Sequence, residues 1–586
     1  MIIKLRSLKL ANRRYVWLAL AIGIVYLQTD SVWSADDSIL GVESDSTNII
    51  IPTPTISIPA DNSIGAVLLS KRHPLLRHAD FGRVSESLNQ IYQNSDFQPI
   101  WLTPNRSEKN LHDLIGILNN APADGLNSTI YEADRIQEWI TSPNTEGNFL
   151  FSYDVALTIS LVRYLNDLRE GQMNPRDVQN SAHIAPKPAL DIGNLLKQHI
   201  DSQTLTELVS IYEPKNKQYQ SLKMILNSLQ QLAHLTEPEV FKPGRVLRPG
   251  DRHPQIVLLR QYLKNMGISA ETGDIDDNVY DSELVSAVKK LQIQSGLKPD
   301  GVIGPATIKL FNQSPVERVA QIELAMERAR WIPDDIDGPM ILVNIPAFEL
   351  WAFNSADDPN PLSMKVIVGK APNNQTPLLW EEMKYLEFMP YWNIPKSIFQ
   401  KEILPKARNN KGYLASQNIE LVRAKLSEEK GGVTYTRARQ RPGKKNPLGR
   451  VKFVFPNTAD VYMHDTPSKA AFNRQRRDLS HGCVRVSEPE RLAEFVLGDQ
   501  KGWDKEKISQ AMSASKTRHV TLKRTIPVLF YYGTTFVDPE NRLRFYPDIY
   551  GLDEQMRNVL KNIGTMTTVA VDSDKQLLAP GAQVTQ

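Results

Sequence analysis

The chain has 586 residues, 41% of them hydrophobic and 23% charged, with a formal net charge of +3, which is the composition of a soluble multidomain protein. Its length supports about three or four domains. So small a positive charge, with no basic run interleaved with aromatics, implies neither a nucleic-acid partner nor a strongly bound membrane surface. A single cysteine excludes an intramolecular disulfide.

Residues 1–34 read as an export signal. Lys4, Arg6, Lys9, Arg13 and Arg14 precede an apolar run from Tyr15 to Leu27, and Val32-Trp33-Ser34 marks the cleavage region. That run is short for a membrane span, which takes about 20 residues, so a retained anchor is the lesser expectation and no span is expected in the mature chain. Residues 35–72, rich in Ser, Thr, Pro and Asp, read as a flexible linker.

Residues 73–236 turn helical. Val84, Leu88, Ile91 and Tyr92 fall on one face, and a helix containing Asp154 to Glu170 is stopped by Gly171. Residues 243–314 form a three-helix unit drawn by punctuation. The first helix starts near Pro254 and ends at Gly267, the second is capped by Asp281 and ends at Gly296, and the third opens at Pro305. A connecting helix through Ile322 and Met326 follows. From Met340 short strand-like runs alternate with Pro and Gly, and between about residues 396 and 445 the pattern breaks into helical and basic loop segments. Residues 549–586 read as a tail.

Chemistry concentrates at Ser480-His481-Gly482-Cys483-Val484-Arg485-Val486, which holds the sole thiol. A thiol attacks as thiolate and needs an imidazole or a positive field to lower its pKa from about 8.5. His481 lies within the run, and His464 lies upstream in Val461-Tyr462-Met463-His464-Asp465-Thr466-Pro467, which reads as a short strand entering a turn. Gly482 leaves room for backbone amides to approach a substrate carbonyl as oxyanion donors. Arg485 can hold a carboxylate, bias the thiol, or form a structural salt bridge. Tyr462 shares the face of His464 by the two-residue period, as an orienting phenol or as a packed aromatic. Ser487 and Glu490 give a capping-box signature for a helix through Leu492, Phe495 and Val496. The bland alternative for Cys483 is a buried, inert core residue. A zinc site would need a fourth ligand that the motif spacing lacks.

His464 followed sixteen to nineteen residues later by Ser480-His481-Gly482-Cys483 resembles the signature of the L,D-transpeptidase catalytic domain of YkuD type. Similarity extends to Ile341–Pro346, Met364–Gly369, Pro390–Pro395 and Leu448–Phe453, and residues 243–314, with Leu297-Lys298-Pro299-Asp300-Gly301-Val302-Ile303-Gly304-Pro305, resemble a peptidoglycan-binding domain. The resemblance implies an α+β multidomain architecture: a helical scaffold domain over 73–236, the three-helix peptidoglycan-binding domain, and a β-sheet-rich catalytic domain over 338–548 with a capping insertion at about 396–445. It implies a periplasmic enzyme without cofactor or metal. Cys483 would be the nucleophile, His464 the general base and acid, and His481, Gly482, Tyr462 and Arg485 supporting residues. Partners would be peptidoglycan stem peptides and glycan strands, and carbapenem-type inhibitors would acylate the thiol. The expected product is a 3-3 cross-link. An L,D-carboxypeptidase or a lipoprotein-attaching enzyme would share the acyl-enzyme, and a noncatalytic wall-binding scaffold is the alternative of another class.

Overall fold

The structure is a computed structural model and describes residues 63–102, 107–141, 147–184, 187–233, 239–265, 277–334, 338–425 and 434–563. The expected export signal, most of the expected linker and the last residues of the expected tail lie outside the described residues.

The first unit is helical. Its helices, among them Ser85–Gln93, Glu108–Asn119, Gly147–Glu170, Ile192–Asp201 and Lys217–Ala233, enclose one apolar core. The predicted face of Val84, Leu88, Ile91 and Tyr92 is buried there, and Gly171, at φ +88°, ends the long helix as expected. One boundary differs. Residues 63–70 form a helix within the expected linker, because Ile64 and Leu68 are buried against this core.

The second unit follows its punctuation where it is described; the expected helix end at Gly267 lies outside the described residues. Asp281 caps Ser282–Gln294 through the Leu284 N–H at 2.9 Å, and Pro305 opens Pro305–Phe311. Leu259, Leu263, Leu284, Val288 and Leu291 form its separate core. The unit is docked on the rest: Arg318 donates to Tyr262 Oη at 2.6 Å and stacks over Phe545, while Gln475 Nε2 donates to the Gly296 carbonyl at 3.2 Å.

The third unit is a curled sheet. Its strands are β1 (Met340–Asn344), β2 (Glu349–Phe353), β3 (Leu362–Gly369), β4 (Leu379–Phe388), β8 (Val451–Val454), β9 (Met463–His464), β10 (Asp478–Ser480), β11 (Val484–Val486) and β12 (Arg518–Tyr531), in the order β10-β3-β11-β9-β8-β4-β12-β1-β2. Because β2 also pairs with β3, the order closes on itself around a core containing Ile341, Val366, Leu386, Phe453, Met463, Val484 and Val528. The insertion is a small body of its own. Short helices over 396–416 pack on a three-stranded sheet of β5 (Trp392–Asn393), β7 (Thr434–Gln440) and β6 (Ile419–Lys425), around Ile394, Ile403, Ile419 and Ala438. The basic stretch expected as loop is therefore strand, since Thr-Tyr-Thr-Arg-Ala-Arg-Gln alternates and buries Ala438 and Gln440. A last hairpin, β13 (Thr535–Val537) with β14 (Leu543–Phe545), packs toward the helical unit.

Two further expectations are corrected. The helix Pro489–Leu497 has Glu488, not Ser487, at its N-cap and no side-chain cap. The Ser487 N–H is instead engaged with the Lys365 carbonyl at 3.0 Å, prolonging the strand. The expected tail begins with a helix, Leu552–Ile563, whose Leu552, Met556 and Leu560 are buried in the third unit's core.

One helix joins the first and third units. Pro315–Arg330 gives Ile322, Ala325, Met326 and Ala329 to the helical core and Leu324 to the sheet core. Its polar residues are buried too: Glu327, Arg328 and Arg330 are each at most 2% exposed. Glu327 Oε1 accepts from the Gln172 and Met173 N–H groups at 2.7 and 3.2 Å, Arg330 donates to the Leu168 carbonyl at 3.2 Å, and Arg328 pairs with Asp553 at 2.6 Å. Removing one partner of such a pair strands the other charge, which costs about 3–5 kcal/mol. Arg328→Ala should accordingly lower the urea midpoint of the third unit's unfolding transition, and Arg328→Ala/Asp553→Ala should recover part of that loss. A single mutant that unfolds at the wild-type midpoint would remove this helix as the joint.

Candidate active site

The site is built by two very short strands. β11 runs parallel to β9, with Val484 beside Met463 and Arg485 beside His464. Val484 and Met463 are fully buried in the barrel core. By strand alternation, Arg485, His464 and the flanking Cys483 and Tyr462 project from the opposite face. Four of the residues singled out in the sequence thus share one face, and Cys483 falls level with Tyr462.

The turn before the thiol is held from within. Ser480 Oγ donates to the Cys483 carbonyl at 2.6 Å and accepts from the Gly482 N–H at 3.1 Å. From behind, Thr376 Oγ1 donates to the Gly482 carbonyl at 2.7 Å and accepts from the Gly369 N–H at 2.8 Å, while Tyr550 Oη donates to the Gly369 carbonyl at 2.6 Å. Gly482 has φ +120°, a conformation L side chains rarely adopt, whereas a Cβ there would meet nothing nearer than 3.8 Å. Backbone conformation alone therefore calls for the glycine. Its N–H is already committed to Ser480, so of the two amides considered as oxyanion donors only that of Cys483 lacks an acceptor among the described residues.

Cys483 is half-buried and free. Burial pushes its thiol above the ordinary range, and Asp460 adds to that. Tyr462, through its main chain and its phenol, and the charge of Lys452 act the other way. Tyr462 itself, raised by burial and by the neighbouring sulfur, stays a protonated phenol and hence a donor.

His464 is 4% exposed. Its Nδ1 lies 2.5 Å from the Asp465 carbonyl, which can only accept, so Nδ1 carries the proton and Nε2 is left as a lone-pair base. Burial, then the Arg485 charge, pushes the imidazole down to about 3, against the raising effect of Asp465. At neutral pH the pair is therefore thiol and neutral imidazole.

Asp465 is a residue whose role the sequence reading missed. Its carboxylate accepts from the Arg450 N–H at 2.9 Å and pairs with Lys469 at 2.8 Å, and it packs so closely on Gly449 that a Cβ there would overlap it. The signal was an aspartate directly after the histidine. His481, by contrast, is not gathered with the thiol. It is exposed, and its Nε2 meets Glu402 Oε1 at 2.7 Å. Glu402 belongs to a π-helical turn, Phe399–Ile403, of the insertion. Arg485 is half-buried, and its Nε has no acceptor among the described residues. No group of three or more His, Cys, Asp or Glu among the described residues is placed to hold a metal ion, and none of their helices is long and apolar enough to cross a membrane.

Comparison with known proteins identifies the domains. Residues 338–527 match the family described as L,D-transpeptidase catalytic domain, residues 252–311 the family described as "Putative peptidoglycan binding domain", and residues 86–226 the family described as Scaffold domain. A curated relative, "Putative L,D-transpeptidase" of Haemophilus influenzae (strain ATCC 51907 / DSM 11121 / KW20 / Rd), is 32% identical over 266 residues, a match covering 43% of this chain and 52% of the relative. The chain thus matches about half the length of that relative. The solved L,D-transpeptidase of Xylanimonas cellulosilytica DSM 15894 aligns over 50% of this chain and 100% of its own, at 16% identity and a TM-score of 0.16. The chain thus carries an L,D-transpeptidase catalytic domain of YkuD type over residues 338–527, together with a scaffold domain and a peptidoglycan-binding domain.

Proposed function

We propose that the chain is a peptidoglycan L,D-transpeptidase acting through a cysteine acyl-enzyme in the periplasm. The observation that carries this reading is the shared face of β9 and β11, which sets Cys483, Tyr462, His464 and Arg485 side by side with the imidazole in its Nε2-basic tautomer. Cys483 Sγ attacks the carbonyl of the third stem residue as His464 Nε2 takes the thiol proton. The S–C bond forms, the C–N bond to the terminal D-alanine breaks, and His464 returns the proton to the departing amine. The side-chain amine of a second stem then attacks the thioester, its proton passing through His464 back to sulfur, to give a 3-3 cross-link. The bond energy carried in the thioester makes ATP unnecessary. The Cys483 N–H and the Tyr462 hydroxyl are the donors available to the tetrahedral oxyanion. Arg485, lacking an acceptor of its own, is available to a stem-peptide carboxylate. Residues 243–314 would hold the enzyme on glycan strands, raising the local concentration of stems.

The purified chain incubated with disaccharide-tetrapeptides should release D-alanine and form dimers, and a carbapenem should add covalently to it, both read by mass spectrometry. Cys483→Ala should abolish dimer and adduct together, and His464→Ala should slow acylation by roughly 10²-fold or more. His481→Ser should be milder. If His481→Ser proved the more damaging, the base would be misassigned.

The insertion reaches the motif through Glu402 and His481, a pair exposed enough to contribute at most about 1 kcal/mol and so easily parted. Such a cover limits water at the thioester. Glu402→Gln should raise the ratio of hydrolysed tripeptide to cross-linked dimer, and an unchanged ratio would deny the contact a part in partitioning.

His464 and His73, the latter held at about 4 by burial, are neutral when folded. Unfolded histidines titrate near about 6.5. Both folded values are depressed, so the stability they contribute is complete above the unfolded value and is lost as pH falls toward the folded ones. The melting temperature should therefore fall between pH 6.5 and about 4, and His464→Gln should make that fall shallower. Parallel pH profiles for the two proteins would contradict the buried neutral imidazole.

A further inference from the structure

The polar face of the sheet continues past the motif. β8 pairs with β9 so that Lys452 lies beside His464, β4 with β8 so that Glu387 lies beside Lys452, and β12 with β4 so that His519 lies beside Glu387. Arg485, His464, Lys452, Glu387 and His519 thus form one cross-strand row over five neighbouring strands. Lys452 Nζ stands 4.0 Å from the centroid of the Tyr462 ring, and its separation from Glu387 Oε2 is 3.8 Å. Both side chains are largely buried, at 19% and 17% exposure, and on the far side Glu387 meets His519 at 3.4 Å.

A cross-strand lysine and glutamate are ordinarily a surface ion pair of small consequence. Here the carboxylate is at the outer limit of a salt bridge, and Lys452 has no hydrogen-bond acceptor among the described residues. The ammonium is instead centred on the aromatic face of Tyr462, the residue that falls level with Cys483 and whose phenol acts on the sulfur. A cation over a phenol ring draws density from it and makes its O–H a stronger donor.

We propose that Lys452 is a positioning residue of the acyl-transfer site, holding and polarising the Tyr462 phenol against the Cys483 sulfur, with Glu387 as the counter-charge that sets its strength. The inference rests on the acyl-transfer reading only for its catalytic meaning, because the effect on the thiol exists without substrate. The groups that face the sulfur are Tyr462, Lys452 and Asp460, with Arg485 on the same strand. Those that face Lys452 are Tyr462, Glu387 and His464. The same ammonium also disfavours a proton on His464, so one charge keeps the base free and the nucleophile closer to thiolate.

The sole cysteine makes the test specific. Alkylation of the full chain by iodoacetamide, followed by intact mass across pH, reports Cys483 alone. Lys452→Met should raise the midpoint of that profile by about one pH unit, about tenfold slower labelling on its acid side, and Lys452→Arg should restore most of it. Glu387→Gln, which removes the counter-charge, should move the midpoint the other way. In a Tyr462→Phe background, Lys452→Met should give a clearly smaller shift, the part that the ammonium exerts on the sulfur directly. An unchanged midpoint in a Lys452→Met protein with normal circular dichroism would overturn the proposal, as would an equal shift in the Tyr462→Phe background or a Glu387→Gln shift of the same sign. Should Lys452→Met fail to fold, Glu387→Gln and Lys452→Arg still decide by sign and by retention. Wild-type protein that never cross-links tetrapeptides yet shows these shifts would sink the transpeptidase reading and leave this one standing.

Discussion

The candidate site depends on a parallel contact between a strand of two residues and a strand of three. Parallel pairs so short have little intrinsic stability, since each contributes only a few slanted hydrogen bonds. Their register is imposed from outside. On one side Asp465 ties the end of β9 to the Arg450 backbone and to Lys469, and on the other Ser480, Thr376 and Tyr550 brace the turn that delivers Cys483. A slip of one residue would send Cys483 and His464 into the barrel and Val484 and Met463 out of it, so apolar burial enforces the same register that the chemistry needs.

A second constraint acts at larger scale. The helix Pro315–Arg330 contributes to two cores at once and carries three buried ionisable groups between them. Such groups have partners drawn from both units: Glu327 reads main-chain N–H groups of the helical unit, and Arg328 reads Asp553 of the catalytic one. Apolar surfaces alone would tolerate sliding. Directional bonds to fixed main-chain positions hold one orientation, with the three-helix unit docked alongside through Arg318 and Gln475.

Much of this was legible. Cys483 and His464 stood out through residue type and spacing, and the helices of the 243–314 unit were marked by Asp281, Gly296 and Pro305. What escaped notice needed tertiary knowledge. Asp465 acts through Gly449 and Lys469, and Glu402 through His481 across 79 residues of sequence, with no periodicity to betray either. Thr376 and Tyr550 reach the motif from loops far along the chain. Strand β7 and the helix Leu552–Ile563 were misread for another reason: their patterns were present, as a Thr and Arg alternation and as Leu552, Met556 and Leu560 at helical spacing, but basic composition and terminal position masked them. At Gly482 a further reason for the glycine, its positive φ, could not be seen in the sequence.

The elevated thiol and depressed imidazole leave Cys483 protonated at neutral pH. Peroxides and disulfides react with thiolates, hardly at all with thiols. In the cell-wall compartment that peptidoglycan-acting domains imply, where no second cysteine of this chain could trap an oxidised sulfur and return it, a permanently ionised nucleophile would be consumed by its surroundings. A thiol kept in the uncharged form trades idle reactivity for durability, and under the proposed function its proton would leave the sulfur only as an acyl group arrived to replace it.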